Sequence, residues 1–312
     1  MSASKITSTQ PAPEDFFAQP NPKGFTVDFE KKVSSHSILP MREGLRWRKR
    51  TREDRPTSVM TGGSMSAVVV VTGGNRGLGA GITEALAQAN ATVAMIYNSA
   101  KDAEEVADKL SKKWSQTIKA YQCNVSDAAR VAEVFAQIEK ELGPIESVVA
   151  NSGISIVKPA LEYTAEEFLK VYNVNVVGAF NTAQAAGRLW VERKHPGSIV
   201  IISSMSDTIY NSPIQQIAYN SSKAAVSSVA RGLAAEWAPY NIRVNNVNPG
   251  FIETDQTSGM PADLRENQAK EVPLGRFSKP WEQAGEVVFL LSKYASYITG
   301  ASHYNDGGYL VW

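Results

Sequence analysis

The run "AYNSSKAA" at residues 218–225 sets Tyr219 and Lys223 four positions apart among small side chains. On a helix that spacing stacks the two on one face, one turn apart. A free tyrosine ionises near a pKa of about 10, too high for efficient proton exchange around neutrality. A lysine ammonium one turn away favours the phenolate and lowers that value. The chemistry open to such a pair is proton transfer to something that approaches the uncrowded face. Taken alone, the same spacing describes a surface helix pair equally well. Upstream, "IVIISSMSDTIYNSPIQQIAY" at 199–219 offers three hydroxyls, Ser203, Ser204 and Ser206, and brackets the tyrosine with Asn211, Gln215 and Gln216. Those amides suit a hydroxylated substrate better than a sterol or a long acyl chain, although Gln215 and Gln216 read equally as surface residues at a helix start.

A second group of residues points to phosphate. "VTGGNRGLGAGITEAL" at 71–86 sets Gly73, Gly77 and Gly79 between an apolar strand and a helical stretch, with Asn75, Arg76 and Leu78 interleaved. Glycines there allow a tight turn and let backbone N–H groups and the helix N-terminus approach a pyrophosphate. Standing at the start of a strand–helix–strand unit, the triplet reads as a dinucleotide loop. An acidic residue at the end of the second strand would accept the ribose 2′-OH of NAD. Here that strand ends Tyr97, Asn98, Ser99, with Arg76 in the glycine loop and Lys101 just beyond. A 2′-phosphate meets cations and hydrogen-bond donors there instead of a carboxylate. The expected cofactor is therefore NADP(H).

Bringing residues 73–79 and 219–223 together requires a fold in which distant strands share one edge. Short β-branched runs at 67–71, 91–97, 117–122, 147–150, 198–202, 242–247 and 301–305 alternate with helical stretches such as "DAARVAEVFAQIEKEL" at 127–142. Strands that are apolar throughout and linked by helices imply an α/β fold with a doubly wound parallel sheet of about seven strands, helices on both faces, and ligands at the carboxyl ends. Residues 1–62 differ: "STQPAPEDFFAQPNPKGF" and "REGLRWRKRTREDRPTS" are polar, proline-rich or charged with little amphipathic period. They are expected to form a loosely ordered extension before a domain at 63–312. Glu14 and Asp15 come early and no apolar core of a leader is present, so neither a secretory signal nor a transit peptide is expected.

Composition narrows the partners. The chain has 312 residues, 43% of them apolar, and a formal net charge of +1, which removes a bulk electrostatic argument for nucleic acid or an anionic membrane. No apolar run approaches the roughly 18 residues of a membrane span. One cysteine, Cys123, excludes an intramolecular disulfide, and with three scattered histidines gives no metal-ligand spacing. Cys123, just after a strand-like run, is expected to be a buried structural thiol in a reducing, cytoplasmic protein.

With these motifs the chain resembles the short-chain dehydrogenase/reductase superfamily. "TGGNRGLG" is similar to its TGxxxGxG loop, "ANSGI" (150–154) to its NNAG-type motif, and "NVNVVGAF" (173–180) to its asparagine segment. "YNSSK" is similar to its YxxxK, and "NPG" (248–250) to its PG motif. The resemblance covers residues 67–312. Two positions depart from it: Ser152 replaces the usual alanine or asparagine, and Asn124 stands where an aspartate often touches the adenine. The resemblance implies that Tyr219 is the general acid/base, that Lys223 also bonds the nicotinamide ribose, and that Asn175 holds a proton-relay water at its backbone. It further implies cofactor contacts at Asn124, Val125, Asn151, Gly153, Pro249, Gly250, Ile252 and Thr254, and suggests a homotetramer or homodimer.

The superfamily's commonest serine spacing, thirteen before the tyrosine, selects Ser206. The order of strand, S-M-S, then P-x-x-Q-x-x-Y instead resembles the NADP-dependent mannitol 2-dehydrogenase and sorbose reductase group, whose serine stands fifteen before the tyrosine. That selects Ser204, which would hydrogen-bond a substrate carbonyl. "MIYNSAKD" (95–102) and "IKAYQC" (118–123) resemble the same group. The expected protein is an NADP(H)-dependent enzyme moving a hydride between nicotinamide and a ketose/polyol pair. The alternatives are a reductase of a 3-oxoacyl or specialised-metabolite ketone and, more distantly, a catalytically idle NADP-binding partner or sensor.

Overall fold

Parallel strands need a crossover between them, usually a helix, and every strand of this chain but the last is followed by one. The computed structural model describes residues 67–311; the extension expected over residues 1–62 lies outside the described residues. The first half runs β1 (Val68–Thr72), α1 (Gly77–Gln88), β2 (Thr92–Tyr97), α2 (Ala103–Trp114), β3 (Ile118–Gln122), α3 (Ala128–Leu142) and β4 (Ile145–Ala150). The second runs α4 (Ala165–Tyr172), α5 (Gly178–Arg193), β5 (Gly197–Ile202), α6 (Ile217–Trp237), β6 (Ile242–Pro249), α7 (Asp255–Ser258), α8 (Ala262–Glu271), α9 (Pro280–Leu291) and β7 (Ser302–Asn305). All seven expected strands form, each within a few residues of its expected bounds. The helix expected at 127–142 starts where the Asp127 side chain accepts from Arg130 N and caps its first turn.

The strands make one parallel sheet in the order β3-β2-β1-β4-β5-β6-β7. The chain steps outward from β1 to β2 and β3, then returns to β4 on the other side of β1. That reversal opens a crevice at the carboxyl ends of β1 and β4, where doubly wound sheets bind ligands. Burial explains the unbroken apolar runs. Val68 and Val70 of β1 face a core shared with Phe135, Ile138 and Trp190, while Val69 and Val71 face another built from Ile82, Leu86 and Leu290.

Packing also locks the middle of the sheet. The fully buried Trp190 of α5 donates its indole N–H to the carbonyl of Ile145, 2.7 Å away. Its ring passes over Gly197 so closely that a Cβ there would lie 2.1 Å from the ring. Gly197→Ala is expected to destabilise the domain by about 1–3 kcal/mol or more, lowering Tm by roughly 2–4 °C per kcal/mol at this size. An unchanged calorimetric melt would contradict this packing.

Candidate active site

The end of β5 sorts the three serines. Ser203 points inward: its Oγ donates to the carbonyl of Lys223 at 3.0 Å and lies 2.9 Å from Ser227 Oγ. Ser204 is the serine that acts on the Tyr219 phenol, pulling its pKa down, and its Oγ donates to Ser206 Oγ at 3.0 Å. Ser206 donates to Asn211 Oδ1 at 2.6 Å, which leaves it one step behind. Asn211 Oδ1 also accepts from Gln216 Nε2 at 3.2 Å, and Gln216 in turn accepts from Ser155 Oγ at 3.2 Å. Asn211 and Gln216 are buried, with the Asn211 oxygen and both ends of the Gln216 amide engaged inside the protein. Of the three amides expected to meet a substrate, Gln215 alone is exposed.

Tyr219 and Lys223 sit one turn apart on α6, as their spacing requires. Lys223 Nζ lies 5.5 Å from the centre of the Tyr219 ring and donates to the carbonyl of Ile202 at 2.8 Å. The ammonium is buried. Burial lowers its pKa to about 8, against the opposing pull of the Asp207 carboxylate. Burial pushes the Tyr219 phenol above its usual range, and the Ser204 side chain pulls it down. The reason is desolvation, which disfavours the phenolate, while the lysine directs one of its N–H groups at a main-chain carbonyl. With the chain's own groups around it, Tyr219 is kept in the form of a proton donor.

Asn175 lies in a π-helical turn, Asn173–Val177, inserted between α4 and α5; such turns recur at functional sites. Its amide donates to the carbonyl of Ile154 at 3.0 Å and to Ser222 Oγ at 2.9 Å, and accepts from Ile154 N at 2.8 Å. Ser222 donates to the carbonyl of Tyr219 at 2.7 Å. The asparagine side chain is thus a brace between the loop after β4 and α6. Gly153 stands in front of it: a Cβ there would lie 3.4 Å from Asn175 Oδ1 and 3.6 Å from Lys223 Nζ.

The glycine loop rises from the adjacent strand. Gly73 and Gly77 have φ of +64° and +54°, and a Cβ on Gly79 would fall 2.0 Å from the carbonyl oxygen of Gly73. Asn151 Nδ2 donates to the carbonyls of Thr72 (2.9 Å) and Gly73 (3.2 Å). Thr72 Oγ1 accepts from the N–H groups of Asn151 and Ser152, both at 3.0 Å. Asn151 and Thr72 therefore clasp the ends of β4 and β1 together. Thr72 and Ser222 escaped the sequence reading, although each stands inside a quoted motif. The loop after β6 closes one side: the Thr254 methyl lies 3.4 Å from the Cβ position of Gly77, Ile252 pairs with Ser278, and Gly250 N, after Pro249, donates to Asn305 at 3.0 Å. Val125 is buried and its carbonyl accepts from Asn181 Nδ2 at 3.0 Å, while Asn124 is exposed. At the far rim Arg76, Asn98, Ser99 and Lys101 are exposed. Among the described residues neither cation makes an ion pair. This cradle, which side chains at its glycines would fill, fits dinucleotide phosphates. The single thiol, Cys123, is buried and pushed up to about 11 by desolvation.

Residues 73–310 match the family model described as enoyl-(acyl carrier protein) reductase. The chain is 38% identical over 244 residues to a sorbose reductase of Candida albicans, covering 78% of this chain and 86% of that one. It is 37% identical over 247 residues to an NADP-dependent mannitol dehydrogenase of Alternaria alternata, covering 78% and 92%. A crystal structure of a short-chain type dehydrogenase/reductase from Mycobacterium marinum superposes with a TM-score of 0.76 at 36% identity, covering 79% and 96%. The chain belongs to the short-chain dehydrogenase/reductase family. In this member of the family the serine, tyrosine, lysine and asparagine gather where the sheet reverses, at the mouth of the glycine loop.

The hydrogen bonding ranks the serines. Ser204→Ala is expected to lower kcat by about a hundredfold or more, as loss of an oxyanion donor does, and Ser206→Ala by far less. Tyr219→Phe is expected to abolish turnover with the fold intact by circular dichroism. A reversed serine ranking in steady-state kinetics would transfer the assignment to Ser206.

Proposed function

We propose that the protein is an NADP(H)-dependent oxidoreductase that converts a ketose-type carbonyl and its polyol into each other, of the fructose/mannitol or sorbose/sorbitol kind. The observation that carries this reading is the Tyr219 phenol, on which Ser204 acts, one helical turn from the buried Lys223 ammonium, whose Nζ lies 5.5 Å from the ring centre. Its likeness to a sorbose reductase and an NADP-dependent mannitol dehydrogenase supports the substrate class. Bound in the groove, NADPH supplies the hydride that reduces the carbonyl carbon. Ser204 hydrogen-bonds the carbonyl oxygen and stabilises the alkoxide that develops. Tyr219, held protonated by burial, delivers its proton to that oxygen. The Lys223 ammonium stabilises the phenolate left behind and bonds the nicotinamide ribose, and Asn175 holds the turn whose backbone anchors a relay water.

The cofactor's phosphates rest on Gly73, Asn75, Gly77, Leu78 and Gly79 at the N-terminus of α1. Asn124 and Val125 meet the adenine end; Asn151, Gly153, Pro249, Gly250, Ile252 and Thr254 line the nicotinamide end. Arg76, Asn98, Ser99 and Lys101 receive the 2′-phosphate. Gln215 is the exposed amide left to meet substrate hydroxyls. We assign the enzyme to the cytoplasm, as a homotetramer or homodimer. The single buried thiol supports a reducing compartment, and Leu169, Val177, Phe180 and Val191 leave apolar surface exposed on α4 and α5 and the turn between them. No helix among the described residues is long and apolar enough to cross a membrane.

A panel of ketoses, polyols and acyl ketones assayed with NADPH and NADH tests this reading. Fructose or sorbose is expected to be turned over, with NADPH clearly preferred; turnover confined to acyl ketones would move the substrate class. Arg76→Ala is expected to raise KM for NADPH by about tenfold, the worth of one charge-assisted hydrogen bond, and to leave NADH nearly unchanged. Asn98→Asp is expected to erode or invert the preference by repelling the 2′-phosphate. Equal kcat/KM for both cofactors in the unmodified protein would contradict the pocket.

A further inference from the structure

The turn that carries Ser204 is tied down by a carboxylate that the reaction as described does not use. Asp207 Oδ2 accepts from Ser227 Oγ of α6 at 2.6 Å and from Asn248 Nδ2 of β6 at 2.8 Å. Asp207 Oδ1 accepts from Tyr304 of β7 at 3.0 Å. The same Asn248 amide also donates to the carbonyl of Ser204 at 3.2 Å, and Asp207 N donates to that carbonyl at 3.1 Å. One side chain thus gathers α6, β6 and β7 around the peptide of the serine. It is also the one charged member of the group. A neutral asparagine could keep the same three partners, its oxygen accepting from Ser227 and Asn248 and its NH2 donating to the Tyr304 hydroxyl, which can turn and accept.

We infer that Asp207 is a positioning residue of this active site, pinning the serine-bearing turn and serving as counter-charge to the buried Lys223 ammonium. This rests on the oxidoreductase reading for the step it assists, but the electrostatics can be read without turnover. Lys223 is buried with one main-chain acceptor, the carbonyl of Ile202. Tyr219 stands beside it on its own helix, and Asp207, on the turn after β5, accepts from Ser227, one helical turn along α6 from Lys223. From the loop after β4 and the π-helical turn Lys223 meets Gly153 and Asn175, neither of which ionises. Burial lowers the lysine, and Asp207 is the charge that acts against burial. On its other side Asp207 faces the Tyr304 phenol, which it helps to raise, with Arg231 of α6 acting on that phenol in the opposite sense. Asp207 therefore keeps Lys223 charged at the pH where Tyr219 must give up its proton.

Two variants separate the roles. Asp207→Asn retains the hydrogen-bond partners and removes the charge; Tyr304→Phe retains the charge and removes one bond at an exposed position. The Lys223 ammonium is titrated through its Cε resonance in ¹³C-lysine-labelled protein, assigned with Lys223→Met. The alkaline limb of kcat for carbonyl reduction is measured alongside. Asp207→Asn is expected to lower both midpoints by about one pH unit. Tyr304→Phe is expected to leave both midpoints in place and lower kcat by about threefold to tenfold through a looser turn. An Asp207→Asn protein with an unmoved Lys223 titration overturns the counter-charge role. A Tyr304→Phe protein with wild-type kcat overturns the pinning role. Should Asp207→Asn fail to fold, Ser227→Ala tests the same pin from α6 with the same expected loss of kcat, and a wild-type rate there overturns it. If the unmodified enzyme reduces no ketose, the substrate reading fails while the lysine titration still decides the counter-charge.

Discussion

A lysine ammonium buried at the end of β5, with the carbonyl of Ile202 as its acceptor, is the constraint around which the site is organised. A charge withdrawn from water is costly unless it is paired and hydrogen-bonded. The chain meets that cost with elements from the neighbouring strands β4 and β5. β5 supplies the carbonyl, the loop after β4 supplies a glycine in front of the ammonium, and the turn after β5 supplies an aspartate. The Asn175 brace holds the β4 loop against α6 from the side. The burial that depresses the lysine also raises the tyrosine beside it. The site therefore rests with a proton on the phenol, ready to give, and a cation beside it, ready to stabilise what remains.

The sheet makes this gathering possible. Parallel strands deliver every carboxyl end to one edge, and the reversal at β1 and β4 opens that edge. Residues 73, 151, 204 and 250 then stand within one crevice although the chain separates them widely. β6 shows the cost of serving that edge. A strand buried on both faces would ordinarily be apolar throughout, yet β6 carries Asn245, Asn246 and Asn248. Asn245 Nδ2 donates to the carbonyl of Ile298 at 2.9 Å and its Oδ1 accepts from Ala301 N at 3.1 Å. Asn248 reaches Ser204 and Asp207. These amides replace apolar contact with directed bonds that hold β7 and the serine turn.

Much of the fold was legible because its signals are local. Alternation of β-branched runs with helical periods marks seven strands in a chain whose core is buried on both faces. A glycine that must take positive φ, such as Gly73 or Gly77, is visible as a glycine. The Tyr219–Lys223 pair is visible as a spacing on one helix. What depends on which side chain bonds which was not legible. Asn211 and Gln216 looked as available to a substrate as Gln215, and only the folded chain shows the Asn211 oxygen and both ends of Gln216 engaged with each other, Ser155 and Ser206.

The sequence by itself determined the doubly wound parallel sheet, the glycine loop at the end of β1, the missing acid at the end of β2 and the tyrosine–lysine helix face. Each is written in residues close together in the chain, where period and conformational need can be read directly. Only the tertiary structure decided where the hydroxyls of the three serines are spent, which direction burial drives the Tyr219 phenol, and that Asp207 draws α6, β6 and β7 onto the Ser204 turn. Those outcomes turn on groups from distant segments competing for the same few donors and acceptors in a space closed to water. Order along the chain carries no record of who wins.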